Sequence, residues 1–306
     1  MSYSSDVKIE LSKVSCTDCC EVALLYGMLL CGRSFGLEGI GICTKHYAVA
    51  ELYSSLLYKL CNVECEFDTT ESGRYVVKIK SRISRQKVLD FFGHGNNRTD
   101  KINLKNIQNE CCRIAFVRGA FLVSGTITDP EKGYHFEIAV ISDSIADSLK
   151  NLMELSVVQD TLDGEVDVTL SPKRGTRNHM PFVYFKDSSS IETILTLFGA
   201  PVSAMRIMTA KVEKDINNNI TRKNNLDIAN IDRMIDASLK YTQAVELLQS
   251  KNLLSQLRAD VCEVALMKYE NPEMSLNELA DAFGISRSAV NYRLGILISE
   301  AEKIRK

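Results

Sequence analysis

Residues able to do chemistry fall into three groups along this chain. The first lies near the C-terminus: Ser286, Arg287, Ser288, Asn291, Tyr292 and Arg293, with no acid until Glu300. On one helix, such a set could read a DNA major groove, with Arg reaching guanine or phosphate and Asn reaching adenine. The second group is basic and scattered, and would contact phosphates. It comprises Lys173, Arg174, Arg177 and His179 at a hairpin tip; Arg206, Lys211, Lys214, Arg222 and Lys223 in an asparagine-rich segment; and Arg82, Arg85, Lys87, Arg98, Lys101 and Lys105 around residue 95. Any one of these stretches alone reads more simply as a solvated loop. The third group is cysteine. Cys16-x-x-Cys19 followed by Cys43-x-x-His46 has the local spacing of a zinc site. Cys19-Cys20 recurs as Cys111-Cys112 without a second C-x-x-C, however, and a second half holding metal would need its own set. The sequence therefore predicts small buried cysteines at helix starts, with no metal and no cofactor.

The C-terminal set needs a frame, and the surrounding residues supply one. Ser275-Leu-Asn-Glu278 is a capping box that opens a short helix, 276–283. Gly284-Ile285 makes a turn, and Ser286 caps a further helix, 287–301. Leu279, Ala280, Phe283, Ile285, Val290 and Leu294 fall where two helices of a helix-turn-helix meet. A purely structural three-helix bundle is the competing reading of the same pattern.

The rest of the chain is organised by a repeat. Cys19-Cys20-Glu-Val-Ala-Leu-Leu-Tyr-Gly27 returns as Cys111-Cys112-Arg-Ile-Ala-Phe-Val-Arg-Gly119. Each copy predicts a helix apolar on all sides, which must be buried. Two such helices can bury each other, with Gly27 and Gly119 permitting close approach. A mid-helix glycine costs about 1 kcal/mol against alanine, so a packing reason is expected. Both halves read α-β-β-α-β-β-α. In the first, Gly36–Cys43 is one extended segment and Val63–Phe67 pairs with Tyr75–Lys80. In the second, Val166–Leu170 is expected to pair with Phe182–Phe185 across a long basic loop, 171–181. The offset between copies is 92 at the cysteine pairs and 106 at Phe92-Gly93 and Phe198-Gly199. The long loop is the expected place for the excess. A long helix is predicted over Asp227–Lys251, and three helices beyond Leu254. The predicted class is α+β: residues 1–95 and 111–222 form the two halves, 96–110 and 223–253 link, and 254–306 form an all-α domain.

Bulk properties narrow the class further. With 306 residues, 45% hydrophobic and 25% charged, the chain can build two or three cores. A formal net charge of −2 excludes a uniformly basic binder but not a local patch. The start, Met1-Ser-Tyr-Ser-Ser-Asp, lacks the basic and apolar regions of a signal peptide. Val22–Cys31 falls well short of the roughly 20 apolar residues that span a bilayer. A cytoplasmic protein with free thiols and no membrane contact is expected. The four histidines form no cluster, and neither a phosphate-binding glycine loop nor a Ser-His-Asp arrangement stands out.

The duplicated glycine-bearing helix resembles the LAGLIDADG homing-endonuclease fold. Joined to a C-terminal helix-turn-helix, the order of parts resembles the WhiA family of bacterial transcription regulators. Residues 111–135, Asn225–Asn230 and Ser286–Leu294 carry the likeness, which covers essentially the whole chain. The resemblance implies a single-chain pseudo-dimer acting as a monomer at the nucleoid. It also implies a role in transcription of sporulation or cell-division genes, on double-stranded DNA, with another regulator or RNA polymerase as a further partner. In nucleases of that fold, an acid near the end of each motif helix binds the catalytic metal. Here Gly32 and Ser124 occupy those positions, so no catalysis is expected. A protein-interaction scaffold with auxiliary DNA binding and an active metal-dependent endonuclease are the alternatives.

Overall fold

The computed structural model describes residues 2–95, 101–161 and 164–305. Arg98, one of the basic candidates, lies outside them. The two motif copies are α2 (Asp18–Leu30) and α5 (Glu110–Ser124). Every residue from Ala23 to Leu30, and from Ala115 to Leu122, is buried. Over these spans neither helix has a face for water, and each packs against the other. A Cβ added to Gly27 would lie 2.1 Å from the Phe116 carbonyl oxygen, and one added to Gly119 would lie 2.1 Å from that of Leu24. The predicted close approach is present, and it is reciprocal, as a pseudo-twofold demands.

The first half follows the predicted order: after α2 come β1 (Ser34–Gly36), β2 (Gly39–Thr44), α3 (Tyr47–Cys61), β3 (Glu66–Thr69), β4 (Tyr75–Lys78) and α4 (Arg82–Phe91). The expected single extended segment is in fact the hairpin β1–β2, with Phe35 opposite Ile40. The second half runs from α5 through β5 (Gly125–Ile127), β6 (Phe136–Ala139), α6 (Asp143–Met153), β7 (Ser156–Thr161), β8 (Gly164–Thr169), β9 (Lys173–Arg177) and β10 (Met180–Phe185) to α7 (Ser188–Phe198). The antiparallel sheets have equivalent orders, β1-β2-β4-β3 and β5-β6-β10-β9. Ile42 opposite Val77 in the first is Ile138 opposite Val183 in the second, and all four are buried. Helix α1 (Tyr3–Ser12) packs Val7 and Leu11 into the same core.

The expected pairing of Val166–Leu170 with Phe182–Phe185 is wrong. Phe182–Phe185 pairs with β6 on one side and β9 on the other, while β7 and β8 form a separate hairpin. The "loop" Lys-Arg-Gly-Thr-Arg is therefore a strand. Its polar residues hid it, because an edge strand can be polar on both faces when the helix layer offers it acids. The excess residues also divide. Ile42 and Ile138 are 96 positions apart, and Val77 and Val183 are 106 apart. Four extra residues thus precede β6, and ten fall between β6 and β10, where the β7–β8 hairpin replaces a short connection.

Two compact units divide the chain at 1–214 and 215–306. The division falls inside α8 (Pro201–Ser250), which begins far upstream of the predicted Asp227. Pro201 occupies the first helical position, where its missing N–H costs nothing. The Glu10 carboxylate accepts from the backbone N–H groups of Val202 and Ser203 at 2.9 and 3.0 Å. In the second unit, α9 (Ala259–Glu270), α10 (Leu276–Phe283) and α11 (Arg287–Arg305) surround a core of Val261, Val264, Leu279, Val290, Leu294 and Leu297. Among the described residues, no helix is long and apolar enough to cross a membrane.

Candidate nucleic-acid interface

The helix-turn-helix forms as its residues dictate. The Ser275 hydroxyl accepts the Glu278 N–H, and the Glu278 carboxylate accepts the Ser275 N–H at 2.7 Å, closing the capping box. The second bond, made to the ionised carboxylate, holds Glu278 below its ordinary pKa. Gly284 takes the left-handed conformation at φ +61° and ends α10. The Ser286 hydroxyl accepts the Ala289 N–H at 3.2 Å and starts α11. Lys268, buried on α9, donates to the carbonyls of Pro272 and Met274 at 2.6 and 2.5 Å, fixing the approach to α10. Burial holds its pKa below the ordinary lysine value.

On this frame Ser286, Arg287, Ser288, Asn291 and Tyr292 are exposed. Arg293 is not free in the same way. Its Nε lies 3.2 Å from Asp260 Oδ2 on α9, and only 21% of the side chain is accessible. The structure thus separates five exposed groups from one that braces the helix. Sequence reading missed the company that Arg287 keeps: a recess of about 530 Å³ that it lines with Asn230 and Arg233 of α8.

In the first unit, the second sheet carries another polar face. Val183 and Phe185 point to the core, so Phe182 and Tyr184 point the other way, their ring centroids 5.5 Å apart. Gly175 lies opposite Phe182, and a Cβ there would sit 2.5 Å from the ring, so glycine makes room for it. His135 adjoins Tyr184 at 5.6 Å between centroids; the Arg177 guanidinium lies 5.1 Å above Phe182, and Lys186 lies 5.5 Å above Tyr184. Glu137 sits among them, bonded to Arg177 at 2.6 Å and His135 at 2.8 Å. Burial opposes its ionisation, but hydrogen bonds from His135 and Arg177 outweigh this and hold its pKa below the ordinary value. His135, Glu137, Phe182, Tyr184 and Lys186 were missed as site residues, although the alternation of β10 was the available signal.

The predicted phosphate contacts scatter. Lys173 and Arg177 share the face of Tyr184 and Phe182. Arg174 points to the opposite side and pairs with Asp143 and Asp147 of α6. Arg222 and Lys223 stand exposed on α8, in the second unit. Arg85 donates to the carbonyls of Leu37, Ile79 and Lys80, and Arg206 pairs with Asp6 at 3.2 Å. Lys214 reaches the Pro130 carbonyl at 2.5 Å. These three hold the fold together.

The cysteine pairs meet. Cys19, Cys20, Cys111 and Cys112 place their sulfurs within 4.8 Å of one another, and Cys16, Cys43 and His46 do not join them. Each pair is the other's complement, which removes the objection that a second half would need its own set.

The WhiA LAGLIDADG-like domain model matches residues 113–217, and the WhiA C-terminal HTH domain model matches residues 220–300. A relative from Lachnospira eligens, described as a probable cell division protein WhiA, is 30% identical, covering 100% of this chain and 98% of its own. The chain belongs to the WhiA family. A second relative of the same description, from Ruminiclostridium cellulolyticum, is 28% identical over 100% of this chain and 99% of its own. Full-length DUF199/WhiA from Thermotoga maritima, known from a crystal structure, shares the fold with a TM-score of 0.59 at 21% identity, covering 99% of each chain. In this WhiA-family chain the two positions that the sequence reading expected to stand in place of acids are Gly32 and Ser124. Gly32 is buried, and a Cβ there would lie 2.8 Å from the Met28 carbonyl oxygen. Ser124 spends its hydroxyl on the Ala120 carbonyl at 3.0 Å.

Proposed function

We propose that this chain is a sequence-specific DNA-binding regulator of cell-division or sporulation genes, with a catalytically silent LAGLIDADG-like unit. The observation that carries this reading is the N-terminal half of α11. Arg287, Ser288, Asn291 and Tyr292 project from a capped, rigidly packed helix with no acid before Glu300. Such a helix start suits the major groove, where Arg and Asn each make two bonds to one base. The family name of its relatives, probable cell division proteins, supports the biological setting. Further binding to another regulator or to RNA polymerase belongs to the same reading.

Silence of the LAGLIDADG-like unit rests on chemistry. Hydrolysis by paired metal ions needs carboxylates placed between attacking and leaving oxygens. Neither Gly32 nor Ser124 offers one. Incubation with supercoiled plasmid and Mg2+ is expected to leave the DNA intact; cleavage lost on chelation would overturn the assignment.

The test of DNA reading is a pair of substitutions in the full chain, using fragments selected from genomic DNA by the wild-type protein. Asn291→Ala is expected to cost about 1–3 kcal/mol in specific binding, with relaxed preference at one base pair. Arg293→Ala is expected instead to lower the unfolding midpoint of the second unit, because it breaks the brace to Asp260. Equal and unaltered affinity in both variants would remove α11 as the reading helix.

A further inference from the structure

Helices α2 and α5 start side by side, and what they present there is four thiols. Cys19 and Cys20 lie in the first turn of α2, Cys111 and Cys112 in the first turn of α5. Each pair precedes its own contact glycine, Gly27 or Gly119, by the same number of residues. The pseudo-twofold that brings the glycines onto opposing backbones therefore brings the pairs together as well. All four are free; Cys20 and Cys112 are buried, and Cys19 and Cys111 are exposed. Cys112 Sγ donates to the Cys19 carbonyl at 3.5 Å, so the contact already crosses between the halves.

We propose that Cys19, Cys20, Cys111 and Cys112 form a four-thiolate site for a single Zn2+ ion spanning the two halves.

Distance supports one ion. Zinc held tetrahedrally at about 2.3 Å from each sulfur sets its thiolates about 3.8 Å apart. The four sulfurs lie within 4.8 Å of one another, so small side-chain rotations close the site. A cluster of two or more irons spreads its four thiolates more widely than a single ion does. The donor set excludes hard cations, since Mg2+ and Ca2+ take oxygen ligands.

The helix ends bear on the charge, with Asp18 and Glu21 of α2 and Glu110 of α5 in the same first turns. Four thiolates around Zn2+ carry a net charge of −2, and they would sit at the positive ends of two helices. Those ends are open. Thr17 and Asn109, the residues capping α2 and α5, make no side-chain cap hydrogen bond; α3 and α9 share this, whereas α1, α4, α6, α7 and α10 are each capped by a side chain. The Thr17 hydroxyl lies 3.4 Å from Cys19 Sγ instead. Binding is a balanced exchange: four S–H bonds break, four Zn–S bonds form, and four protons leave to solvent, with no oxidant or reductant needed. The ion would staple the starts of the two motif helices, two turns from the glycine contact.

The experiment uses the full chain, purified anaerobically, with metal content measured and Co2+ alone as the spectroscopic probe. The expected result is one zinc per chain and, with Co2+, intense sulfur-to-metal charge transfer with tetrahedral d–d bands. Zinc should shield four of the ten cysteines from alkylation, and chelation should release them. The Cys19→Ser, Cys111→Ser double variant alters the two exposed thiols. It is expected to lose more affinity than the roughly 10- to 100-fold that goes with a group merely supporting a ligand. Cys262→Ser, in the other unit, should keep the ion. If the double variant misfolds by circular dichroism, single Cys111→Ser and the wild-type alkylation pattern carry the test. The proposal is overturned by the absence of a stably bound ion, by binding that survives the double variant, by iron–sulfur absorbance, or by a Cys19–Cys111 disulfide in the freshly purified protein.

Discussion

The two halves of the first unit share a register and differ in what they show on the sheet face turned away from the helices. In the first sheet, Gly41 stands where the second has Glu137, and Lys78 and Lys80 are paired with Asp68 and Glu66. That face is small in side chains and balanced in charge. In the second, Phe182, Tyr184 and His135 form an aromatic row flanked by Arg177, Lys173 and Lys186, with the acid Glu137 among them. Buried positions are constrained by packing on both sides, so duplication leaves them alike. Outward positions are not, so they record what each half came to do. Aromatic faces beside guanidinium and ammonium groups suit a nucleic-acid strand; balanced ion pairs do not.

The largest effect should test what the halves have in common. Gly27→Ala and Gly119→Ala each drive a methyl group to 2.1 Å from a backbone carbonyl oxygen, which neither helix can yield without moving apart. Each is expected to cost about 3 kcal/mol or more, at the upper end of overpacking effects, by urea titration of the first unit's transition. Costs differing by more than about 1 kcal/mol would mean that the halves are not equivalent at their interface.

A second pair of variants tests the difference. Lys173→Ala with Lys186→Ala, exposed cations of the second face, is expected to reduce the slope of log affinity against log salt by about 1 per residue on non-specific duplex DNA. Lys78→Ala with Lys80→Ala, in the first half, should leave that slope unchanged, because both lysines are already neutralised. Equal reductions from the two pairs would erase the contrast between the faces.

The sequence made the repeat, the glycine contact and the helix-turn-helix legible, because each is written in local spacing: an apolar run, a glycine eight residues beyond the first cysteine of a pair, a capping box four residues long. What it hid is what depends on a partner far along the chain. Arg293 looks like a base reader until Asp260, on another helix, takes its Nε. Lys173–Arg177 looks like a loop until β10 pairs with it and α6 supplies acids for Arg174. Asn217–Leu226 lies upstream of the helix expected from Asp227, yet it is inside α8, whose start is set by Pro201 and by Glu10 reaching across from α1. The cysteine pairs stand 92 residues apart, one in each half, and only the twofold makes them a set.

The smallest effect concerns one residue that the halves do not share. Gly93 and Gly199 end α4 and α7 with φ +73° and +86°, and the next residues bond back identically, His94 N–H to Leu89 and Ala200 N–H to Leu195. Both are buried, but His94 carries a ring into the first core, edge-on to Phe35 at 5.1 Å. The Tyr26 hydroxyl accepts the Asn103 N–H at 2.7 Å and is hydrogen-bonded to His94 Nε2 at 2.9 Å. Burial favours the neutral ring and keeps its pKa below the ordinary 6.5. The unfolded chain takes up a proton near pH 6.5, while the folded chain resists until lower pH. Stability from this site is therefore full above about pH 6.5 and declines as pH falls below it. His94→Ala makes the first half resemble the second. It should lower stability at neutral pH through the lost packing, yet flatten the decline between about pH 7 and pH 5 relative to the parent. His46, also held below its ordinary pKa by burial, is present in both proteins and cancels in the comparison. Parallel pH profiles for variant and parent would show that His94 is not the group that makes the first half acid-sensitive.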